Sequence, residues 1–248
     1  MRILISGICG HMGRIVERLA LDGYCGADPV AGIDLRPDGY SEVECADSFD
    51  TARTDVDCIV DFSHHAATKP LLDFAVKNSL PLVLATTGQS NEEKAMIAEA
   101  AKSIPLFFAA NYSMGIAILI ELAKKTAAFM PDADIEIIEK HHDRKIDAPS
   151  GTALAIADAL CTVREDATLN CGRSGQAKRT KNEIGIHAVR MGNIVGEHEV
   201  IIGTNTQSIT LKHEAFDRSL FAEGALNAAA FLVGKPAGLY DMNSMIKI

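Results

Sequence analysis

Short uninterrupted apolar runs recur along the first half of the chain, each followed by a polar or glycine-containing turn and a stretch of helical spacing. Arg2–Ser6, Val30–Ile33, Asp57–Phe62, Pro81–Ala85 and Leu106–Ala110 read as strands. Between them, Met12 to about Leu21, Leu71–Val76 and Lys94–Lys102 carry the helical period, the last with Asn91 as an expected N-cap. Strands alternating with helices predict a parallel, doubly wound sheet. Strands that are apolar throughout predict that both its faces are covered.

The pattern changes after about Ser113. Gly115–Phe129 is a long apolar helix, and Asp134–Lys140 alternates apolar with charged residues, as a strand with one wet face does. Ala153–Cys161 returns to helical spacing, and 164–182 reads as a polar surface loop. Three strand-like segments follow, Ile184–Arg190, Ile194–Ile202 and Ser208–His213, with Gly192-Asn193 as an expected hairpin turn. The alanine-rich helix Ser219–Leu232 is expected to pack back on the first domain. The organisation is therefore an α/β Rossmann-type dinucleotide-binding domain from 1–112 and 219–248, around an α+β domain with a mixed sheet from 113–218.

The length of 248 residues suits two modest domains, and 48% hydrophobic with 23% charged residues is ordinary for a soluble globular chain. The net charge of −9 argues against nucleic acid as a partner. No apolar run of about 18 residues suggests a membrane span, and the first residues do not read as a signal peptide. Six cysteines without CxxC spacing read as reduced thiols of a cytoplasmic protein.

Two segments carry chemistry. Gly7-Ile8-Cys9-Gly10-His11-Met12-Gly13 joins the first strand to the first helix, where glycines let backbone approach a pyrophosphate and helix N–H groups face its charge. Its spacing is GxxGxxG rather than GxGxxG. Asp34 ends the second strand, 21 residues beyond Gly13, as expected for a ribose-binding acid. Arg36 is placed to meet a 2′-phosphate, and Arg14 is either a phosphate contact or part of a solvated face. Thr86, Thr87 and Gly88 follow the fourth strand, and Asn111 is either a hinge or a ligand contact. The cofactor reading is NADH or NADPH.

The second segment runs from Glu139 to Thr152. Lys140, His141, His142, Arg144 and Lys145 place five potential cations within six residues of a chain that is negative overall, and Ser150-Gly151-Thr152 opens a helix. A helix N-terminus beside cations seats a carboxylate or phosphate. Adjacent histidines divide labour between proton donation and anion binding. A metal is not expected, because adjacent histidines rarely converge on one ion and His64-His65 has no obvious third ligand. A Ser150–His hydrolase lacks the GxSxG elbow. An aldehyde dehydrogenase lacks a cysteine near the cluster.

GxxGxMG, ATTG, FAANYS, IEIIEKHHDRKIDAPSGTA and VRMGNIVGEHEV occur in that order, and together the chain resembles the 4-hydroxy-tetrahydrodipicolinate reductase (dihydrodipicolinate reductase) family over essentially its whole length. The resemblance implies hydride transfer from a nicotinamide to a cyclic imine dicarboxylate of lysine and diaminopimelate synthesis. It makes His141 the proton donor and Lys145 a catalytic, carboxylate-binding lysine. His142, Ser150, Gly151 and Thr152 become substrate contacts. Gly7, Gly10, His11, Met12, Gly13, Asp34, Ala85, Thr86, Thr87, Ala110, Asn111 and Tyr112 become cofactor contacts. It also implies a homotetramer joined through the sheets of the second domain. The chain departs from the family at Ala85, where glycine is usual, and at Leu35, where many members have arginine.

Overall fold

The computed structural model describes residues 1–37 and 41–246; the expected end of the first domain at residue 248 lies outside them. The chain forms two compact units, one from Met1–Ser113 with the segment from Ser219 onward, the other from Met114–Arg218.

In the first unit β1 (Arg2–Ser6), α1 (His11–Leu21), β2 (Asp28–Ile33), β3 (Cys45–Ala46), β4 (Cys58–Asp61), α2 (Thr68–Lys77), β5 (Leu82–Leu84), α3 (Asn91–Ala100) and β6 (Pro105–Phe108) follow in order. The sheet is parallel with strand order β3-β2-β1-β4-β5-β6. The order reverses between β1 and β4, and ligands of such sheets bind beyond the strand ends at that point. Leu4, Ile59, Leu82 and Leu106 pack with Leu71, Phe74 and Ile97 into one cluster. Each such side chain contributes about 1.5–3 kcal/mol through burial. The helix after Asn91 is capped by Ser90, not by Asn91. Ser90 Oγ accepts the Glu93 N–H and the Glu93 carboxylate accepts the Ser90 N–H, a reciprocal pair that Asn91 one place later cannot make.

The second unit holds α4 (Met114–Phe129), β7 (Asp134–His141), α5 (Gly151–Cys161), β8 (Thr168–Cys171), β9 (Glu183–Arg190), β10 (Gly196–Gly203) and β11 (Ser208–Ala215). Its sheet is mixed, in the order β11-β10-β7-β9-β8. β7 runs parallel to β9 and antiparallel to β10. Ile135, Ile137, Val200 and Ile202 pack with Ile116 and Leu119 of α4 and with Ile156 and Leu160 of α5.

Two expectations are corrected here. Gly192-Asn193 is not a hairpin turn, because β7 lies between β9 and β10. The linking residues instead cross the end of β7, where Met191 N–H donates to the His141 carbonyl and Asp143 N–H to the Gly192 carbonyl. Residues 164–182 are not all loop, since β8 forms the sheet edge; its TLNC sequence has no apolar alternation because neither face is well covered.

Chain order ends in the first unit with α6 (Ser219–Leu232), β12 (Gly238–Tyr240) and α7 (Met242–Met245). The helix α6 packs on α1 and on β4, β5 and β6, and β12 extends the sheet beside β6.

Candidate active site

The glycine-rich turn lies at the end of β1, within the first unit. Gly7 has φ +77°, and a Cβ there would stand 2.7 Å from the Phe62 carbonyl oxygen and the Ser63 Cα. Only glycine lets the turns after β1 and β4 approach so closely. A Cβ on Gly13 would overlap the Gly7 carbonyl oxygen, so the helix start also needs glycine. Gly10 caps α1 without a side-chain hydrogen bond. His11 is exposed, Met12 half-buried and Gly13 buried.

Asp34 stands at the end of β2 and accepts the Cys9 N–H at Oδ2 and the Arg36 N–H at Oδ1, both at 3.1 Å. Its carboxylate is thereby tied to the turn. A cavity of about 990 Å³ is lined by Gly7, Gly10, Asp34, Leu35, Phe62 and Ser63, among others. The helix start without a side-chain cap, the Gly7 close approach and the acid beside it fit a dinucleotide. Arg14 Nε donates to the Cys9 carbonyl at 3.0 Å and so braces the turn.

The other expected cofactor positions divide by what their side chains already do. Thr86 is buried and its hydroxyl donates to Asp61 Oδ2 at 2.6 Å. Burial pushes the Asp61 carboxyl up, against the hydrogen bonds of Ser63 and Thr86. Ala85 is buried, with its N–H on the Asp61 carbonyl. Thr87 is exposed, and Gly88 has φ +92°. Ala110 is exposed and Asn111 Oδ1 accepts the Ser113 N–H. The buried Tyr112 hydroxyl reaches the Leu84 and Phe107 carbonyls. The hydroxyl protons of Thr86 and Tyr112 are therefore committed within the chain.

Within the second unit, β7 extends through His141, one residue further than the alternation suggested. Residues two apart on a strand share a face, so Glu139 and His141 point the same way, while Lys140 lies on the other face and pairs with Glu197 at 2.9 Å. Arg144 is exposed and pairs with Asp143 and Asn193. Of the five cations, His141 and Lys145 are joined to the start of α5, through Glu139 and Asp147.

Glu139 is fully buried. Its Oε2 lies 2.6 Å from His141 Nδ1 and 2.8 Å from Arg190 Nη1. Its Oε1 accepts Arg190 Nη2 at 2.7 Å and the Ser150 N–H at 2.9 Å. Burial pushes this carboxyl up, but the hydrogen bonds from Arg190, His141 and Ser150 together hold it below the usual carboxylate range. Burial draws His141 below 6.5, Glu139 opposes that, and the charges of Lys145 and Arg190 add to it. The His198 ring stands edge-on to His141, 5.2 Å between centres, and burial and the neighbouring His141 push it down to about 4.

Ser150 caps α5: its Oγ accepts the Ala153 N–H at 3.2 Å and lies 3.3 Å from His198 Nε2. Gly151 is exposed, with nothing within 4 Å of where a Cβ would stand, and Thr152 follows it, half-buried. Lys145 Nζ pairs with Asp147 at 2.8 Å. That pairing first, and then backbone N–H groups including that of Gly151, hold the Asp147 carboxyl down. A carboxylate of the chain itself thus joins Lys145 to the helix start. His142 is half-buried, with no hydrogen-bond partner at Nδ1.

Arg190, His198 and Gly196 were not singled out from the sequence, and Glu139 had no role there. Strand alternation around His141 exposes Glu139 as its same-face neighbour. Arg190 and His198 emerge only from the register, which sets Arg190 opposite His141 and His198 opposite Glu139.

Residues 1–112 match the family profile described as "Dihydrodipicolinate reductase, N-terminus", and residues 115–246 match "Dihydrodipicolinate reductase, C-terminus". The chain is 44% identical over 248 residues to the 4-hydroxy-tetrahydrodipicolinate reductase of Clostridium tetani, covering 99% of this chain and 97% of that protein. It is also 44% identical over 254 residues to the enzyme of the same name from Caldanaerobacter subterraneus subsp. tengcongensis, covering 100% and 98%. In fold it is similar to the dipicolinate-bound dihydrodipicolinate reductase from Paenisporosarcina sp. TG-14, with TM-score 0.81, 23% identity and coverage of 100% and 99%.

Proposed function

The chain belongs to the dihydrodipicolinate reductase family, and on that premise we propose that it reduces 4-hydroxy-tetrahydrodipicolinate (dihydrodipicolinate) to tetrahydrodipicolinate in lysine and diaminopimelate biosynthesis. The reading assigns NADH or NADPH binding to the first unit and substrate binding and assembly to the second. The observation that carries it is His141: Nδ1 is held by a buried carboxylate, while Nε2 lies beside Gly196, with no side chain between them.

When bound, the nicotinamide would supply a hydride to the cyclic unsaturated imine at the carbon whose hydroxyl has left as water, and the ring C=N is kept in the product. His141 gives the accompanying proton from Nε2 and is left neutral, a state that burial and the nearby charges of Lys145 and Arg190 favour. Lys145 and the start of α5, with Gly151 and Thr152, hold one substrate carboxylate. His142 and Ser150 complete the assigned substrate contacts, Ser150 by capping that helix.

The purified protein is expected to oxidise NADH or NADPH when given the condensation product of pyruvate and aspartate semialdehyde. Absence of turnover with both nucleotides overturns the reading. Nucleotide binding without turnover would instead favour a non-catalytic regulator, and turnover of another small dicarboxylate a different reductase of this plan.

Assembly as a homotetramer through the second unit's sheet is part of the proposal. Glu136, Ile138, Lys140, Glu199 and Ile201 lie on the face opposite the α4–α5 core and are half-buried. A monomer mass in solution overturns this part alone.

A further inference from the structure

We propose that Glu139, with Arg190 as its counter-ion, is a positioning residue for His141: its carboxylate keeps a hydrogen on Nδ1, so that Nε2 carries the proton to be transferred. The inference rests on the reading of His141 as the proton donor.

An ionised carboxylate only accepts hydrogen bonds, so a His141 nitrogen 2.6 Å from Glu139 Oε2 must donate. A neutral imidazole has one N–H. If Glu139 claims it at Nδ1, any second proton must sit on Nε2. The two Arg190 nitrogens grip both carboxylate oxygens, and an arginine does not deprotonate, so the carboxylate stays charged in its buried setting. The fourth contact, from the Ser150 N–H, ties the same carboxylate to the cap of α5. One group therefore fixes the ring and the helix start together. Nε2 lies against Gly196, where a Cβ would stand 3.2 Å from it, so the absence of a side chain there keeps that nitrogen uncrowded.

Charged and titratable groups reach His141 from each side. Glu139 lies on its own strand, Arg190 on β9 and Lys145 in the loop after β7. His198 faces it from β10, with His213 directly beyond on β11. Among them only Glu139 favours the protonated ring. Replacing Glu139 by Gln should make His141 harder to protonate, and replacing Arg190 by Met should make it easier. A merely structural role predicts no such opposition.

The test uses the full chain without ligand. Nitrogen-15 NMR of the His141 ring, assigned with His141→Gln, is recorded against pH in the unaltered protein, Glu139→Gln and Arg190→Met, alongside the pH profile of kcat. The expected result is an Nδ1–H tautomer in the unaltered protein. His141 titration and the high-pH fall of kcat should move to lower pH in Glu139→Gln and to higher pH in Arg190→Met. In Glu139→Gln, kcat at pH 7.5 should drop at least tenfold with NADH binding unchanged. An Nε2–H tautomer in the unaltered protein overturns the inference even if both variants fail to fold. Shifts of the same sign, or none, in both variants also overturn it. Absence of turnover in a protein whose His141 is held as the Nδ1–H tautomer overturns the proposed reduction instead.

Discussion

Gly196 stands against His141 so closely that a Cβ on the glycine would lie 3.2 Å from Nε2, and 3.8 Å from Cε1 of His198. Gly196 flanks the nitrogen from which a proton would leave. A branched side chain there would press on that nitrogen. Gly196→Val is expected to lower kcat for the dicarboxylate at least tenfold, about 1.4 kcal/mol of transition-state stabilisation, with the NADH dissociation constant unchanged. Stopped-flow kinetics and fluorescence titration of NADH check both halves. An unaffected kcat would mean that this side of His141 is not used.

Gly13 meets the Gly7 carbonyl oxygen too closely for any side chain, whereas a Cβ on Gly10 would stand 3.2 Å from the same oxygen. Overpacking of this kind costs about 1–3 kcal/mol. Gly13→Ala is therefore expected to lower the urea midpoint and to weaken NADH binding at least tenfold, and Gly10→Ala to do both less. Equal NADH affinity in Gly13→Ala and the unaltered chain would remove the turn from the nucleotide site.

His198 is buried and its imidazole is pushed from 6.5 to about 4. Between those values the unfolded chain binds a proton that the folded chain refuses. Stability is then full above about pH 6.5 and falls as pH drops toward 4, by up to about 3 kcal/mol. Burial lowers His141 and His213 too, which adds in the same direction. Urea unfolding at pH 7.5 and 5.0 should show the loss, and His198→Gln should reduce it. A pH-independent midpoint would contradict the assignment.

What was legible depended on how local the physics was. β1 was read with its observed bounds because Ile3, Leu4 and Ile5 at its centre are apolar for packing on both faces. β3, β8 and β12 run two to four residues, are incompletely covered and leave no pattern. The place of β7 between β9 and β10 is a pairing across distant segments, so the glycine at 192 suggested a hairpin instead. At the site, His141, Lys145 and Ser150 were visible as chemistry concentrated in one segment. Arg190 lies 51 residues from Glu139 and only the sheet register joins them.

Asp34 sets a second expectation. One of its oxygens takes the Cys9 N–H of the turn and the other the Arg36 N–H, Leu35 beside it is 87% exposed, and Arg36 is the one nearby cation in 34–37. A ribose diol can donate to this carboxylate, while a 2′-phosphate would meet like charge. The unaltered chain is expected to favour NADH by kcat/KM. Asp34→Gly should lower the NADH value more than tenfold and the NADPH value less. A ratio of the two that does not change would place Asp34 away from the adenosine ribose.

Lys145 is 23% exposed and held by Asp147 at 2.8 Å, and Asp147 also takes the Gly151 N–H. A substrate carboxylate arriving at the start of α5 would take over the same partners. A hydrogen bond to a charged group contributes about 1.5–3 kcal/mol, while the partly exposed pair that is given up is worth about 0–1 kcal/mol. The difference of about 0.5–3 kcal/mol corresponds to roughly 2- to 150-fold in affinity by the usual conversion. Lys145→Met is therefore expected to raise the substrate KM by that factor, with NADH binding unchanged. A variant whose KM is unchanged while kcat falls would show that Lys145 acts on the proton transfer alone, through its charge near His141.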